Sequence, residues 1–184
     1  MAAGASRRMG EPKQLLSFQG TPLISTVLRR LAATQPDRLI VVLGAHAERI
    51  RQHCQNPSVE IFLNPNWEEG LSASIRTAVE KLAHSPEKPS HILIALVDQP
   101  YLETEHYQSL IQASKQFPDQ IIAARFEGRL GAPMLFPQAY FSKLLTLKED
   151  RGAGQWVRSL NEQVVPIDLP LAAVDWDRPE DLSK

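Results

Sequence analysis

The spacing of apolar residues changes along this chain, and each change marks an element. Leu23, Ile24, Val27, Leu28 and Leu31 recur at helical spacing, in a helix that Thr21-Pro22 can start and that runs to about Ala33. Arg38-Leu39-Ile40-Val41-Val42-Leu43-Gly44 is instead a continuous β-branched run, as expected of a strand covered on both faces. A short helix over 47–55 follows, then a strand at Val59–Leu63 ended by the turn residues Asn64-Pro65-Asn66. Gly70-Leu71-Ser72-Ala73-Ser74 leads into a helix carrying Ile75, Ala78, Val79 and Leu82. The most strand-like run, 91–97, ends directly in Asp98-Gln99-Pro100.

Beyond it the pattern predicts a helix through Tyr107, Leu110, Ile111 and Ala113, and a strand at 121–124. Gly128, Gly131 and Pro133 then separate two strand-like pieces, either a hairpin-like excursion or a connector. Short helices are expected around Phe141, Leu144 and Leu145 and over 152–160. The run 164–167 reads as an edge strand, because Pro166 cannot donate to a central ladder. Strands alternating with helices predict one α/β domain over 1–184, with right-handed crossovers and helices on both faces of the sheet.

Composition narrows the chemistry. With 20 Lys+Arg against 21 Asp+Glu the net charge is -1, so the whole surface is suited neither to nucleic acid nor to an anionic membrane, and any phosphate chemistry must be local. Cys54 is the one cysteine, and no export signal or membrane-length apolar run is visible, so a cytoplasmic location is expected. Cys54 lacks a base at recognisable spacing and reads as a bland surface or half-buried thiol; the five histidines form no zinc pattern.

The local phosphate chemistry is in the first thirteen residues, where Ala2, Ala3 and Gly4 let the backbone run close to a ligand and Arg7, Arg8 and Lys13 supply charge. Gln14 after Lys13 breaks the P-loop pattern, and no G-x-G-x-x-G is present. The loop from Gly70 to Ser74 could present free N–H groups to an anionic ligand or hold an ordinary Ser cap. Asp98, at the end of a buried strand, is either a metal ligand in the crevice of an open sheet or a helix cap. Asp175 and Asp177, at i and i+2, point the same way if extended. A basic loop of small residues, one strand-end acid and a paired acid fit nucleotidyl transfer, in which Lys and Arg hold a triphosphate and carboxylates bind Mg²⁺. No protein nucleophile is required.

The opening AAGASRRMGEPKQLL, together with LVDQP, GAP and the closing DWDRPEDL, resembles in order the motifs of the nucleotidyltransferases that act on the molybdenum cofactor. LVDQP and GLSASI are nearest the CTP:molybdopterin cytidylyltransferase branch. The resemblance implies a three-layer α/β/α Rossmann-like fold with a mostly parallel sheet, like that of nucleotide-diphospho-sugar transferases. It implies transfer of CMP from CTP to molybdopterin with Mg²⁺ and release of pyrophosphate. Guanylyl or sugar-phosphate nucleotidyl transfer, and a non-catalytic nucleotide-binding role in molybdoenzyme maturation with a maturation partner, stand as alternatives.

Residue by residue, the resemblance assigns Ala2, Ala3 and Gly4 to the nucleotide, and Arg8 and Lys13 to its phosphates. Asp98 and Asp177, with Asp175 as a weaker neighbour, go to the metal. Gly70, Leu71, Ser72 and Ser74 go to the base and ribose, and Gly131, Pro133, Asp150, Arg151 and Gly152 to the acceptor side. Family members lead into the first loop with an apolar strand, whereas Met1 stands here where its end is expected. The sheet is therefore expected to lack its usual first strand, through a late start, a truncated chain or a rearrangement.

Overall fold

The computed structural model describes residues 1–148, 152–160 and 163–183. A small hairpin, β1 (Ser17–Phe18) and β2 (Thr21–Pro22), precedes α1 (Leu23–Ala32). Then come β3 (Leu39–Leu43), α2 (Ala47–Arg51), β4 (Val59–Leu63), α3 (Leu71–Ala83), β5 (His91–Ile94) and α4 (Thr104–Gln116). The chain continues through β6 (Ile121–Phe126), β7 (Arg129–Pro137), α5 (Phe141–Leu145), α6 (Gly154–Arg158) and β8 (Val164–Asp168).

β3 and β4 pair in parallel, and β5, β7, β6 and β8 form a four-stranded sheet in that spatial order. β8 is an edge strand parallel to β6, as its proline predicts. The glycine-bearing stretch is a hairpin: β6 and β7 run antiparallel around Glu127 (φ 47°) and Gly128 (φ 72°), and β7 also pairs antiparallel with β5. β7 thus runs against its neighbours in a mixed sheet whose other pairings are parallel. The register slips between Ala123 and Ala124, where β7 carries the extra residues Ala132 and Pro133.

Residues 1–3 join the two sheets. Ala2 bridges Leu43 in parallel, its N–H donating to the Val42 carbonyl at 3.0 Å, while the Ala3 carbonyl accepts from Ala45 N at 3.0 Å. On the other side the Met1 nitrogen donates to the Ala95 carbonyl at 2.7 Å, and Val97 N donates to the Met1 carbonyl at 3.2 Å. The expected first strand is thus represented by a three-residue segment satisfied on both flanks. β5 ends at Ile94, short of the predicted 97, and Ala95 and Val97 instead exchange backbone bonds with Met1.

Period-two alternation divides the core between the faces. On β6, Ile121 and Ala123 face α3, α5 and α6, whereas Ile122 and Ala124 face α4, and all four are fully buried. Met134 and Phe136 join the first group, Leu135 the second. α1 packs Leu23, Ile24, Val27 and Leu28 onto Leu39, Val41 and Leu43 of β3, with Met9, Phe18 and Trp176. The result is three layers with helices on both faces. α2 is shorter than predicted. Cys54, beyond its end, is buried, its Sγ lies 3.5 Å from the Ile50 carbonyl, and burial raises its thiol pKa.

Gly44, at the end of β3, shows how tightly this edge is drawn. A Cβ there would stand 2.4 Å from Trp67 Cβ and 2.9 Å from the Ala3 carbonyl oxygen. Gly44→Ala is expected to cost about 1–3 kcal/mol, the usual range for forced overpacking; urea denaturation with an unchanged m value is the check.

Candidate active site

The first loop folds around Gln14, which in sequence stood out only as the residue that breaks the P-loop pattern. Gln14 is fully buried, and its Nε2 donates to the Ala2 carbonyl at 3.0 Å and the Gly4 carbonyl at 2.9 Å. Ser6, held at φ 53°, accepts from Lys13 N at 3.0 Å through its Oγ, which also donates to Gln14 Oε1 at 3.4 Å. The residue that breaks the P-loop pattern is therefore an internal strut. Among the described residues, no backbone N–H of residues 3–8 donates to another protein group, so the loop offers a row of donors of the kind that cradles anions.

Next to the strut, Lys13 projects from a single 3-10 turn. Its Nζ donates to Asp98 Oδ2 at 2.6 Å and Asp177 Oδ1 at 2.7 Å, joining segments 85 and 164 residues away. Burial by itself would depress the lysine pKa; the Asp98 charge and the hydrogen bonds to Asp177 and Asp98 outweigh it, and the net shift is upward. Asp98 Oδ1 is buried without a partner. The helix after Asp98 is capped by Glu103 in a capping box with His106, so Asp98 is not its cap.

Two further groups fix the aspartates. Buried Arg30, from α1, donates to the Pro100 carbonyl at 2.5 Å and the Leu102 carbonyl at 3.1 Å, pairs with Glu103, and lies 5.4 Å from the Phe18 ring centroid. Phe18 packs edge-on against Tyr101 and Trp176, and Trp176 N donates to the Asp98 carbonyl at 2.9 Å. Trp176 is thus a core residue between the two aspartates in sequence space. Asp181 then holds the N–H groups of Asp177 and Arg178 at 3.0 and 2.8 Å.

A cavity of about 510 Å³ opens over this arrangement, and Ala2, Ala3, Gly4, Lys13, Gly70, Leu71, Asp98 and Asp177 line it. Arg8 is exposed and makes no hydrogen bond or ion pair among the described residues, whereas Arg7 reaches the cavity wall and lies 3.8 Å from Glu68. Asp175 is exposed overall and lies outside the wall; partial desolvation of its carboxylate and the charges of Asp177 and Asp98 push its pKa up.

Ser72 and Ser74 are buried at the start of α3. Ser72 Oγ donates to the Lys148 carbonyl at 3.3 Å and Ser74 Oγ accepts from Asn64 Nδ2 at 3.1 Å, so both hydroxyls are engaged in holding adjacent segments. Gly131 packs on the Phe126 ring and Pro133 is buried in the β7 bulge; Gln99, beside Asp98, ties the bulge to the site by donating to the Ala132 and Ala172 carbonyls, both at 2.9 Å. Gly152 abuts Leu71 at the cavity wall. Asp150 and Arg151 lie outside the described residues. Ser6, Arg30, Trp67 and Gln99 were given no role from sequence, since a contact to a group remote in the chain leaves no periodic signal.

Two carboxylates, a bridging lysine and a donor-rich loop thus meet at one cavity, an arrangement with the chemistry to hold a phosphorylated ligand and its counter-ion. Residues 1–167 match the family model of the MobA-like NTP transferase domain, and the chain belongs to that family of nucleotidyltransferases. It is 29% identical over 167 residues to the nicotine blue oxidoreductase of Paenarthrobacter nicotinovorans, covering 86% of this chain and 79% of that protein. To the bifunctional protein GlmU of Bifidobacterium longum subsp. infantis it is 30% identical over 115 residues, 61% of this chain but 25% of GlmU. Its fold matches the crystal structure of Rv0371c from Mycobacterium tuberculosis H37Rv with a TM-score of 0.82 at 27% identity, covering 99% of this chain and 92% of the other. A manganese complex of the same protein matches with a TM-score of 0.76 at 25% identity over 95% and 91%.

Arg30→Met strips donors from two loop carbonyls while leaving half-exposed Glu103 to water; a loss of about 1–3 kcal/mol is expected by thermal or urea unfolding. The ion pairs of Lys13 should be visible in alkali. Because its folded-state pKa is raised above the ordinary 10.5, their contribution is complete below that pH and is lost as pH rises through the folded value. Urea midpoints measured from about pH 9 to about pH 12 should fall in the wild type, and this component should be missing from Lys13→Met.

Proposed function

We propose that the protein is a Mg²⁺-dependent cytidylyltransferase that moves CMP from CTP onto the phosphate of a molybdopterin-type acceptor and releases pyrophosphate, acting in the cytoplasm. The observation that carries nucleotidyl transfer is Lys13 held between Asp98 and Asp177 beneath a loop of unpartnered N–H groups. Preference for CTP and for molybdopterin is supported by the resemblance of 70–75 and 96–100 to that branch.

The residues present fit a magnesium ion. Asp98 has a buried oxygen in want of a partner, Asp177 is half-exposed beside it, and Mg²⁺ characteristically takes one or two carboxylates and fills its remaining positions with water and phosphate oxygens. Asp98 and Asp177 would hold it, and when bound it supplies charge neutralisation at the phosphoryl group under attack. The rest is the work of the chain. The N–H groups of residues 3–8 and the ammonium of Lys13 bind and orient the triphosphate; Lys13, fully protonated at neutral pH, offsets charge on the departing pyrophosphate. Gly131 and Pro133, tied to the Asp98 loop by Gln99, shape the acceptor side. The acceptor phosphate is itself the nucleophile, so no covalent enzyme intermediate forms.

Pyrophosphate release by purified protein with Mg²⁺, molybdenum cofactor and each of CTP, GTP, UTP and ATP tests the reading. CTP should give the highest kcat/KM, and Asp98→Asn and Lys13→Met should each lower kcat by roughly 100-fold or more. Turnover with GTP or a sugar phosphate alone would reassign the substrate, and nucleotide binding without any Mg²⁺-dependent turnover would leave only an accessory role.

A further inference from the structure

The cavity has two chemically different parts. Lys13, Asp98, Asp177 and the loop amides suit a triphosphate and its counter-ion, but none of them offers a flat apolar face to a nucleobase. One aromatic residue lines the cavity, Trp67, in the turn between β4 and α3. The other two tryptophans are engaged elsewhere: Trp176 is buried against Phe18, and Trp156, in α6, stacks on Phe136 and lies tilted against Tyr140. Trp67 has no ring contact of this kind among the described residues and is half-buried rather than enclosed.

Its position is fixed independently of any packing partner for the indole face. A Cβ at Gly44 would stand 2.4 Å from Trp67 Cβ and 2.9 Å from the Ala3 carbonyl oxygen, so the root of the Trp67 side chain lies directly beside the first loop. The flanking turn is held as well. Asn64 accepts from Asn66 N at 2.9 Å, and Arg76, from α3, reaches back to Glu69 at 2.5 Å. A half-buried indole on a braced turn, beside a phosphate-binding loop and facing shared cavity space, has the properties of a stacking platform.

We propose that Trp67 is the surface on which the base of the bound nucleoside triphosphate stacks. This rests on the nucleotidyltransferase reading and adds to it a residue for the base. Since every base has a π-face, the contact contributes affinity without choosing among bases. Selection of one base then falls to hydrogen-bonding groups of the 68–71 turn.

The test separates the base from the phosphates. Calorimetry with CTP and with inorganic tripolyphosphate, in Mg²⁺, is run on wild type, Trp67→Leu and Trp67→Phe, with melting temperatures as a check on folding. Trp67→Leu should weaken CTP by roughly tenfold or more while leaving tripolyphosphate within about twofold, and Trp67→Phe should restore most of the difference. Saturating CTP should also quench wild-type tryptophan emission, and that quench should vanish in Trp67→Phe although CTP still binds. Equal losses for both ligands, unchanged CTP affinity in Trp67→Leu, or a quench that survives in Trp67→Phe would each overturn the proposal while leaving nucleotide binding intact. Wild-type protein that binds neither ligand would overturn the nucleotidyltransferase reading along with it.

Discussion

The site depends on one lysine shared by two aspartates. Lys13 is brought up by the first loop, Asp98 by the segment after β5 and Asp177 by the segment after β8, and their side chains meet within 2.7 Å. Two carboxylates this close would repel each other strongly without a cation between them, and burial makes the repulsion worse by lowering the local dielectric. The lysine therefore does more than await a phosphate. It makes the convergence of three distant segments electrostatically possible, and the aromatic contacts of Phe18 and Trp176 and the guanidinium of Arg30 hold the aspartate-bearing segments in the geometry it needs.

A second constraint is steric. Residues 1–3 carry the backbone bonds that join the β3–β4 pair to the larger sheet, and this requires close approach at Gly44, where Ala3 and Trp67 both come within contact of one Cα. The same three residues are cavity wall. Structural and ligand-binding demands thus fall on one short segment. Its composition fits both: Ala2 and Ala3 are nearly fully buried small residues, while Gly4 at the open end is exposed and carries no side chain to block a ligand.

Much of this was legible in the sequence. The β-branched runs, the helical periodicity of α1, α3 and α4, and Pro166 as an edge marker all rest on local patterns that tertiary structure obeys. Lys13, Asp98 and Asp177 were legible as candidates because motif order survives in sequence, and the cavity wall includes all three. What sequence did not reveal is long-range and polar. The full extent of β7 depends on pairing with both β5 and β6, which no local pattern encodes, and the β1–β2 hairpin was hidden because Thr21-Pro22 reads equally well as a helix start. Gln14, Arg30 and Gln99 act through carbonyls of residues remote in the chain, and their roles exist only once those carbonyls are in place. Ser72 and Ser74 show the reverse: motif residues whose hydroxyls turn inward to tie α3 to Lys148 and Asn64.

The charge at the site also bears on how a nucleotide enters. Lys13 with Asp98 and Asp177 carries one more negative than positive charge, and a triphosphate approaching that trio alone would be repelled. The offset must come with the ligand or from the loop. Arg7 lines the cavity and Arg8 is exposed next to it in the chain; both are screened by solvent, and Arg7 is only weakly engaged by a 3.8 Å contact with Glu68. Such groups can steer and gather anions at little structural cost, while the ion-paired trio offers fixed geometry to what has been gathered. The division matches the burial: exposed charge outside for capture, a doubly ion-paired lysine inside for alignment, and between them a row of backbone donors braced by the Gln14 strut.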